Sequence, residues 1–181
     1  MPGAHKQSIR DEMKVALLGA ECTGKTTLAH QLTQTLASRG LDAACIDEYL
    51  RHWCERSQRT PGPYEQSGIA MAQAQRINNT QAQMLIADTT PLMTAVYSDF
   101  YFHDASLYPL ALAFQRGFDC TLLLGSDLPW VADGLQRDGP QVRQQMDTLL
   151  RKVLSQAAVP YRSIEGAGAQ RLQQALQALG L

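Results

Sequence analysis

The chain has 181 residues, of which 45% are hydrophobic and 18% are charged, and its formal net charge is -1. This length and composition support a folded hydrophobic core and exclude the disordered and fibrous classes. The near-neutral charge provides no overall attraction to nucleic acid or to an anionic membrane, so we expect neither as a partner. We predict one domain over 14–181, preceded by a polar N-terminal extension over 1–13.

The cysteines and the apolar runs indicate the compartment. The four cysteines show neither C-x-x-C spacing nor the paired Cys and His pattern of zinc sites, so no structural zinc site is predicted. No apolar run approaches the roughly 18 residues of a membrane span, and the polar N-terminus lacks the apolar core of a signal peptide. These features predict reduced thiols and a cytoplasmic protein.

Short apolar runs alternate along the chain with longer segments of helical period. The predicted strands cover 14–19, 42–47, 84–88, 119–125 and 161–165. The predicted helices cover 26–38, 49–56, 65–83, 141–157 and 170–179, and a further helix begins at Pro91 with Thr90 as its cap. This alternation predicts an α/β fold in which a five-stranded parallel sheet carries helices on both faces.

The first motif is the segment GAECTGKT at 19–26, which matches the G-x-x-x-x-G-K-[ST] pattern of a phosphate-binding P-loop. In this pattern Gly19 and Gly24 let backbone amides turn toward phosphate oxygens. Lys25 neutralises charge on the β- and γ-phosphates, and the Thr26 hydroxyl coordinates Mg²⁺. The motif follows the first predicted strand and opens the first predicted helix, whose positive end favours phosphate. We therefore predict a site for a nucleoside triphosphate and Mg²⁺.

An acidic residue ends the third predicted strand, at the edge where open parallel sheets bind their ligands. Asp88 is suited to hold a Mg²⁺-bound water or to accept a proton from an attacking hydroxyl. The alternative is that Asp88, Thr89 and Thr90 only cap the helix that begins at Pro91. Both interpretations hold together if Thr90 alone is the cap.

A second acidic pair, Asp47 and Glu48, ends the second predicted strand. Either carboxylate is suited to bind a sugar hydroxyl of the phosphate acceptor, and the alternative is an ordinary solvated pair at a strand end. Arg51 lies one helical turn beyond, within reach of both. These residues are candidates for acceptor binding.

The segment PWVADGLQRDG at 129–139 follows the fourth predicted strand and contains Arg137, with Arg143 on the next predicted helix. Phosphoryl transfer requires positive charge over the transferred group and exclusion of water, which a closing lid with arginines provides. The alternative is a structured loop in which Trp130 packs and Arg137 pairs with a neighbouring aspartate. None of the scattered histidines is predicted to be catalytic.

Taken together, these segments resemble the nicotinamide-riboside kinase domain of NadR-type proteins, within the NadR-like P-loop kinases. The matching segments are GAECTGKTT at 19–27, EYLR at 48–51, DTT at 88–90 followed by Thr94, and PWVADGLQRDG at 129–139. Two positions depart from the family pattern. Thr90 replaces a second Asp, and Gln136 shifts the lid arginine by one position.

The resemblance implies a P-loop NTPase fold like that of nucleoside monophosphate kinases, with a short lid. It implies ATP- and Mg²⁺-dependent phosphorylation of the 5′-hydroxyl of nicotinamide riboside. The implied nucleotide-binding residues are Gly19, Glu21, Cys22, Thr23, Gly24, Lys25, Thr26, Thr27, Arg137 and Arg143. The implied acceptor-binding residues are Glu48, Tyr49, Arg51, Asp88, Thr89 and Trp130. The implied catalytic residues are Lys25, Asp88 and Arg137. The implied metal-binding residues are Thr26 and Asp88.

Some residues and classes stay open on the sequence alone. By residue type, Cys22 suits a small loop position rather than a nucleophile, and Thr27 suits packing or capping as well as nucleotide contact. Two other function classes remain, a kinase for another nucleoside or small metabolite and a nucleotide-dependent switch. The N-K-x-D guanine-specificity pattern is missing from the sequence, and the arginine-bearing lid favours transfer over switching.

Overall fold

The computed structural model describes residues 12–131 and 139–181. The strands are β1 (Met13–Leu18), β2 (Ala43–Ile46), β3 (Met84–Asp88), β4 (Cys120–Leu124) and β5 (Arg162–Ile164). The helices are α1 (Lys25–Ser38), α2 (Tyr49–Ser57), α3 (Gln66–Asn79), α4 (Pro91–Phe102), α5 (Tyr108–Gln115), α6 (Pro140–Gln156) and α7 (Ala169–Ala178). A 3-10 turn over Pro63–Glu65 precedes α3.

The strands form one parallel sheet in the order β2-β3-β1-β4-β5, which confirms the predicted fold class. The central strand β1 leads into the P-loop. Its Leu17 is in register with Asp88 at the end of β3. Because the strands are parallel, their carboxyl ends meet at one edge of the sheet, and the candidate site residues are brought to that edge.

Alternating side chains of the strands pack into separate cores on the two faces of the sheet. On one face, α1 and α7 cover Leu17 and Ile86. On the other face, α2 to α6 contribute to a core that includes Leu18 and Leu123. Both faces of β1 are fully buried from Val15 to Leu18, which explains why this strand is a continuous apolar run rather than an alternating one.

Two parts of the helical prediction were wrong. The helix predicted over 65–83 ends at Asn79, because Thr80 takes an extended conformation and Gln83 leads into β3, where its carbonyl accepts from the Met13 amide at 2.8 Å. Helix α5 had not been predicted at all. The remaining boundaries lie within one or two residues of the prediction, and α4 begins at Pro91 as expected.

The remaining general predictions concern the N-terminus, the cysteines and the membrane. Most of the extension predicted over 1–13 lies outside the described residues, and β1 already begins at Met13. All four cysteines are free thiols. Among the described residues, none of the helices is long and apolar enough to cross a membrane.

Candidate functional site

The P-loop between β1 and α1 has the tight backbone that the motif requires. Gly24 has φ of 77°, a left-handed conformation that favours glycine. A Cβ on Gly19 would lie 2.8 Å from the Thr23 hydroxyl and 3.1 Å from the Leu124 carbonyl oxygen, so only glycine fits there. The buried Thr23 hydroxyl donates to the Ala20 carbonyl at 2.8 Å and closes the loop from inside.

The side chain of Lys25 folds back onto the P-loop. Its Nζ donates to the carbonyl oxygens of Gly19 and Ala20, each at 2.8 Å, and the residue is buried. The ammonium group is therefore held beside the loop amides at the start of α1, where the positive end of the helix also acts.

Thr26 and Asp88 meet across the edge of the sheet. The Thr26 hydroxyl donates to Asp88 Oδ2 at 2.5 Å, and Asp88 is 1% exposed. The other carboxylate oxygen, Oδ1, is buried and has no hydrogen-bond partner within 12–131 and 139–181. A buried oxygen without a partner is costly unless a ligand satisfies it. A hydroxyl beside such a carboxylate is the oxygen donor set that suits Mg²⁺, so these residues fit the predicted ion.

The capping of α4 comes from Thr90. The Thr90 hydroxyl accepts from the Leu92 amide at 3.3 Å and donates to Gln115 Oε1 at 2.7 Å. Thr89 adopts a positive φ of 80°, and its amide donates to the Leu17 carbonyl at 3.1 Å. The side chain of Asp88 is therefore directed to Thr26 and not to the helix, as the combined interpretation of this segment predicted.

Glu48 lies at the start of α2, and its charge interacts with that of Lys25 in the P-loop. Burial raises the pKa of Glu48, and the Asp88 carboxylate raises it further, whereas Lys25 and Arg51 act in the opposite direction. Its neighbour Asp47 pairs instead with His30, at 3.1 Å. Of the two acids at the end of the second strand, Glu48 is the one whose charge interacts with Lys25 and Asp88.

Tyr97 in α4 is a residue at this site that the sequence did not indicate. Burial holds the pKa of its hydroxyl well above the usual range, and the charges of Glu48, Glu21 and Asp88 act in the same direction. The phenol is therefore neutral and within electrostatic reach of three acidic side chains that the sequence assigned to the site. A tyrosine inside an apolar helix gives no sequence signal for this role, because its type also suits a core position.

Tyr49 contacts two arginines, Arg56 of its own helix α2 and Arg76 of α3. The guanidinium groups of Arg76 and Arg56 lie over its ring at 4.8 Å and 5.6 Å. Its amide donates to Gln73 Oε1 at 2.7 Å, and Gln73 Nε2 donates to the Thr89 carbonyl at 3.1 Å. Buried Gln73 thus ties the start of α2 to the end of β3, a link that the sequence did not reveal.

The segment that leads to the predicted lid contacts the P-loop. The Cys22 thiol donates to the Val131 carbonyl at 3.3 Å. Trp130 is half-buried, and its indole nitrogen is without a partner in the part of the chain that the structure describes. Arg143 Nη1 donates to the Leu128 carbonyl at 2.8 Å, so this arginine fixes the beginning of the segment. Arg137 lies outside the described residues, and its role stays a prediction.

The remaining loop residues differ in exposure. Glu21 is half-buried, and its charge helps to raise the pKa of Tyr97. Thr27 is exposed on the first turn of α1. The alternative in which Thr27 packs into the core is therefore wrong. Nucleotide contact by Glu21, Cys22, Thr23 and Thr27 stays a prediction.

Arg171 in α7 contacts the P-loop, and the sequence analysis did not identify it. This buried guanidinium donates to the carbonyl oxygens of Thr23, Gly125 and Gly166, and to Asp127 Oδ1 at 2.5 Å. Burial raises the pKa of Asp127, but the Gly166 amide and Arg171 outweigh it, so that pKa lies below its usual range. The contact joins residues 148 positions apart in the chain, which no local pattern could indicate.

A family model described as an AAA domain matches residues 14–171. The chain belongs to this family. It is also 27% identical over 161 residues to the trifunctional NAD biosynthesis/regulator protein NadR of Escherichia coli K12. That match covers 83% of this chain and 38% of the NadR protein, so the chain spans well under half the length of this relative. The similarity to NadR-like proteins predicted from the motifs is confirmed.

Solved structures of similar fold include a NadR protein in complex with NR and with NAD and AMP-PNP. The complex with NR gives a TM-score of 0.74 and is covered over 52% of its length. The complex with NAD and AMP-PNP gives a TM-score of 0.72 and is covered over 50% of its length. Both matches have 17% identity and cover 94% of this chain. Deoxyadenosine kinase from M. mycoides with bound dATP gives a TM-score of 0.63 at 14% identity, over 94% of this chain and all of that one, 100%. The P-loop kinase fold is thereby confirmed.

Proposed function

We propose that this chain is an ATP- and Mg²⁺-dependent kinase that phosphorylates the 5′-hydroxyl of nicotinamide riboside and forms nicotinamide mononucleotide. The observation that carries the proposal is the hydrogen bond from Thr26 of the P-loop to the buried Asp88, with Asp88 Oδ1 lacking a partner among the described residues. The similarity to NadR supports nicotinamide riboside as the acceptor.

In the proposed reaction the P-loop binds the triphosphate of ATP. Loop amides and the start of α1 contact the phosphate oxygens, and Lys25 exchanges its bonds to the Gly19 and Ala20 carbonyls for bonds to the β- and γ-phosphates. Thr26 and Asp88 hold Mg²⁺, which when bound supplies positive charge beside the phosphates. These groups act by positioning and electrostatic stabilisation rather than by covalent chemistry.

In this proposal the acceptor binds between Asp88 and Glu48, opposite the triphosphate. Asp88 orients the 5′-hydroxyl and accepts its proton while the hydroxyl oxygen bonds to the γ-phosphorus and the bond from that phosphorus to the β-phosphate oxygen breaks, leaving ADP. Glu48, with its raised pKa, hydrogen-bonds a ribose hydroxyl. Trp130 and Tyr97 border the acceptor, and Arg137 stabilises charge on the transferred group.

Product identification from a mixed pool of acceptors tests the proposal. The purified chain is incubated with ATP, Mg²⁺, nicotinamide riboside and common nucleosides, and the products are identified by mass spectrometry. We expect nicotinamide mononucleotide and ADP in equal amounts. A different nucleoside monophosphate would identify a kinase for another acceptor, for which the fold of deoxyadenosine kinase gives some support. ADP without any phosphorylated acceptor would indicate a switch ATPase and contradict the kinase proposal.

The proposal extends to domain organisation and compartment. We propose that residues 14–181 act as one kinase unit in the cytoplasm, with a small molecule as partner. The free state of all four cysteines supports a reducing compartment. Limited proteolysis that leaves a single core fragment would support one unit, whereas two stable fragments would contradict it.

A further inference from the structure

Three side chains of metal-ligating type converge beside the edge strand β2: His30 from α1, Cys45 from β2, and Asp47 directly after β2. His30 Nε2 lies 3.1 Å from Asp47 Oδ1, and the Cys45 sulfur lies 3.9 Å from the same oxygen. The ligand atoms of all three lie within 4.8 Å of one another. The cluster therefore offers one nitrogen, one sulfur and one oxygen to a common point.

The backbone holds these side chains in place. Cys45 belongs to β2 and Asp47 follows its last residue, so the two are separated by two positions in extended chain and leave the same face. His30 belongs to α1, which packs on that face of the sheet. Two of the three ligands thus come from regular elements and the third directly follows one, which gives a more rigid arrangement than a surface loop.

The distances suit a tetrahedral ion of zinc size. With metal–sulfur bonds of about 2.3 Å and metal–nitrogen and metal–oxygen bonds of about 2.0–2.1 Å, tetrahedral ligand atoms lie roughly 3.3–3.6 Å apart. The separations of His30 and of Cys45 from Asp47, 3.1 Å and 3.9 Å, differ from this by a few tenths of an ångström, and the separation of His30 from Cys45 is at most 4.8 Å. Rotation of the half-exposed His30 and Asp47 side chains, with exposed fractions of 52% and 48%, is enough to close the difference.

We propose that His30, Cys45 and Asp47 bind a divalent ion of the zinc type, with water as the fourth ligand on the solvent side. A thiolate and an imidazole select such an ion over Mg²⁺, which prefers oxygen ligands only. Coordination transfers the Cys45 thiol proton to solvent as the sulfur–metal bond forms. The thiolate and the Asp47 carboxylate then balance the two positive charges of the ion, and His30 stays neutral.

The proposed ion site directly adjoins Glu48 of the candidate nucleotide site. Asp47 directly precedes Glu48, and Glu48 is the residue whose charge interacts with Lys25 and Asp88. An ion that fixes Asp47 against α1 also fixes the junction between β2 and α2. The inference stands independently of the proposed kinase activity, since it depends only on the three ligands.

Cobalt binding tests the site directly. The apo chain is titrated with Co²⁺ in excess Mg²⁺, which occupies the oxygen site at Thr26 and Asp88. We expect one equivalent of Co²⁺ to give a thiolate-to-cobalt charge-transfer band that Zn²⁺ removes. Cys45→Ser should abolish the band, and His30→Gln should weaken binding at least tenfold. Cys120→Ser is the matched control, because Cys120 is a half-buried free thiol in β4, with two strands between it and β2.

Each other result would overturn the inference. No charge-transfer band in the wild-type chain would show that the cluster is only a hydrogen-bonded triad. A band that survives Cys45→Ser, or one that Cys120→Ser removes, would place the ion elsewhere. Full affinity in His30→Gln would exclude the imidazole as a ligand. Circular dichroism of each variant checks the fold, and His30→Gln changes a half-exposed helix position that tolerates substitution.

Discussion

At the end of β3, three consecutive residues have different tasks. Asp88 bonds to Thr26 of the P-loop, Thr89 takes a strained backbone conformation with φ of 80°, and Thr90 caps α4. The strain at Thr89 is held by the bonds of its amide to Leu17 and of its carbonyl to Gln73. This division separates the stability of α4 from the chemistry at Asp88, so the two can be tested by different substitutions.

Asp88→Asn should lower kcat at least a hundredfold with little loss of stability, because the amide retains the shape but loses the negative charge. Thr90→Ala is the matched control. It should lower the free energy of unfolding by about 2 kcal/mol, through loss of the cap and of the Gln115 bond, and leave kcat within about threefold. Steady-state kinetics and urea unfolding measure both variants. A rate for Asp88→Asn within about threefold of wild type would show that Asp88 is structural.

Glu48 gives a pH dependence whose sign follows from its raised pKa. The unfolded carboxyl has a pKa of about 4.3. As pH rises from that value toward the higher folded pKa, the folded state retains a proton that the unfolded state has lost, so stability falls. Glu48→Gln removes this loss. The variant should therefore gain stability relative to wild type at pH 7 but not at pH 4, measured by urea unfolding. An equal difference at both pH values would contradict the raised pKa.

At the scale of elements, α7 supports the P-loop through one buried arginine. Arg171 is buried and donates to three backbone carbonyls and one carboxylate, so its planar group joins the P-loop, the end of β4 and the turn before α7. A guanidinium offers five donors in a fixed fork, and a lysine ammonium offers three at one point. The geometry of this contact therefore requires arginine.

Arg171→Lys should lower the free energy of unfolding by about 2–4 kcal/mol, because buried carbonyls lose their donors and Asp127 loses its planar partner. The exposed Arg162 of β5 provides the control, and Arg162→Lys should stay within about 0.5 kcal/mol of wild type. Urea unfolding measures both. A loss below about 0.5 kcal/mol for Arg171→Lys would show that the ammonium replaces the guanidinium at this position.

At the scale of the whole molecule, the proposed nucleotide site lies at the carboxyl end of the central strand of the sheet. The P-loop follows the central strand β1, and the acids come from β3 and from the β2–α2 junction. Ligand binding at this edge should therefore stabilise the entire sheet. Since a ligand that binds only the folded state adds free energy by mass action, binding is measurable as a shift in unfolding temperature.

ATP with Mg²⁺ at about one hundred times its Kd should add about 2.7 kcal/mol to the stability and raise Tm by roughly 5–10 °C for a domain of this size. Lys25→Ala should remove most of the shift. Thr27→Ala, at the exposed position two residues further along α1, tests the predicted contact of Thr27: a retained shift would show that Thr27 does not contact the nucleotide. Differential scanning fluorimetry with and without Mg²⁺ measures the shift. No shift in the wild-type chain would contradict nucleotide binding.

Sequence patterns predicted the elements whose signals are local. The strand β3 was predicted with its observed boundaries, and the start of α4 at Pro91 followed from Thr90 and the proline. The helix ending at Asn79 was predicted four residues too long, because Gln81, Ala82 and Gln83 are helix-forming types, whereas in the structure Thr80 is extended and the Gln83 carbonyl accepts from the Met13 amide. Helix propensity is a weak local preference that such tertiary contacts override.

The sequence by itself determined the P-loop, the parallel α/β class and the similarity to NadR. The P-loop rests on spacing within one segment, the fold class on the alternation of apolar runs and helical segments, and the similarity on four motifs in order along the chain. Only the tertiary structure decided that Thr26 meets Asp88 across 62 positions, that Arg171 supports Thr23, and that His30 joins Cys45 and Asp47. These contacts depend on strand order and helix packing. A pattern of neighbouring residues carries no information about which distant side chains will meet, so the site was complete only once the sheet was formed.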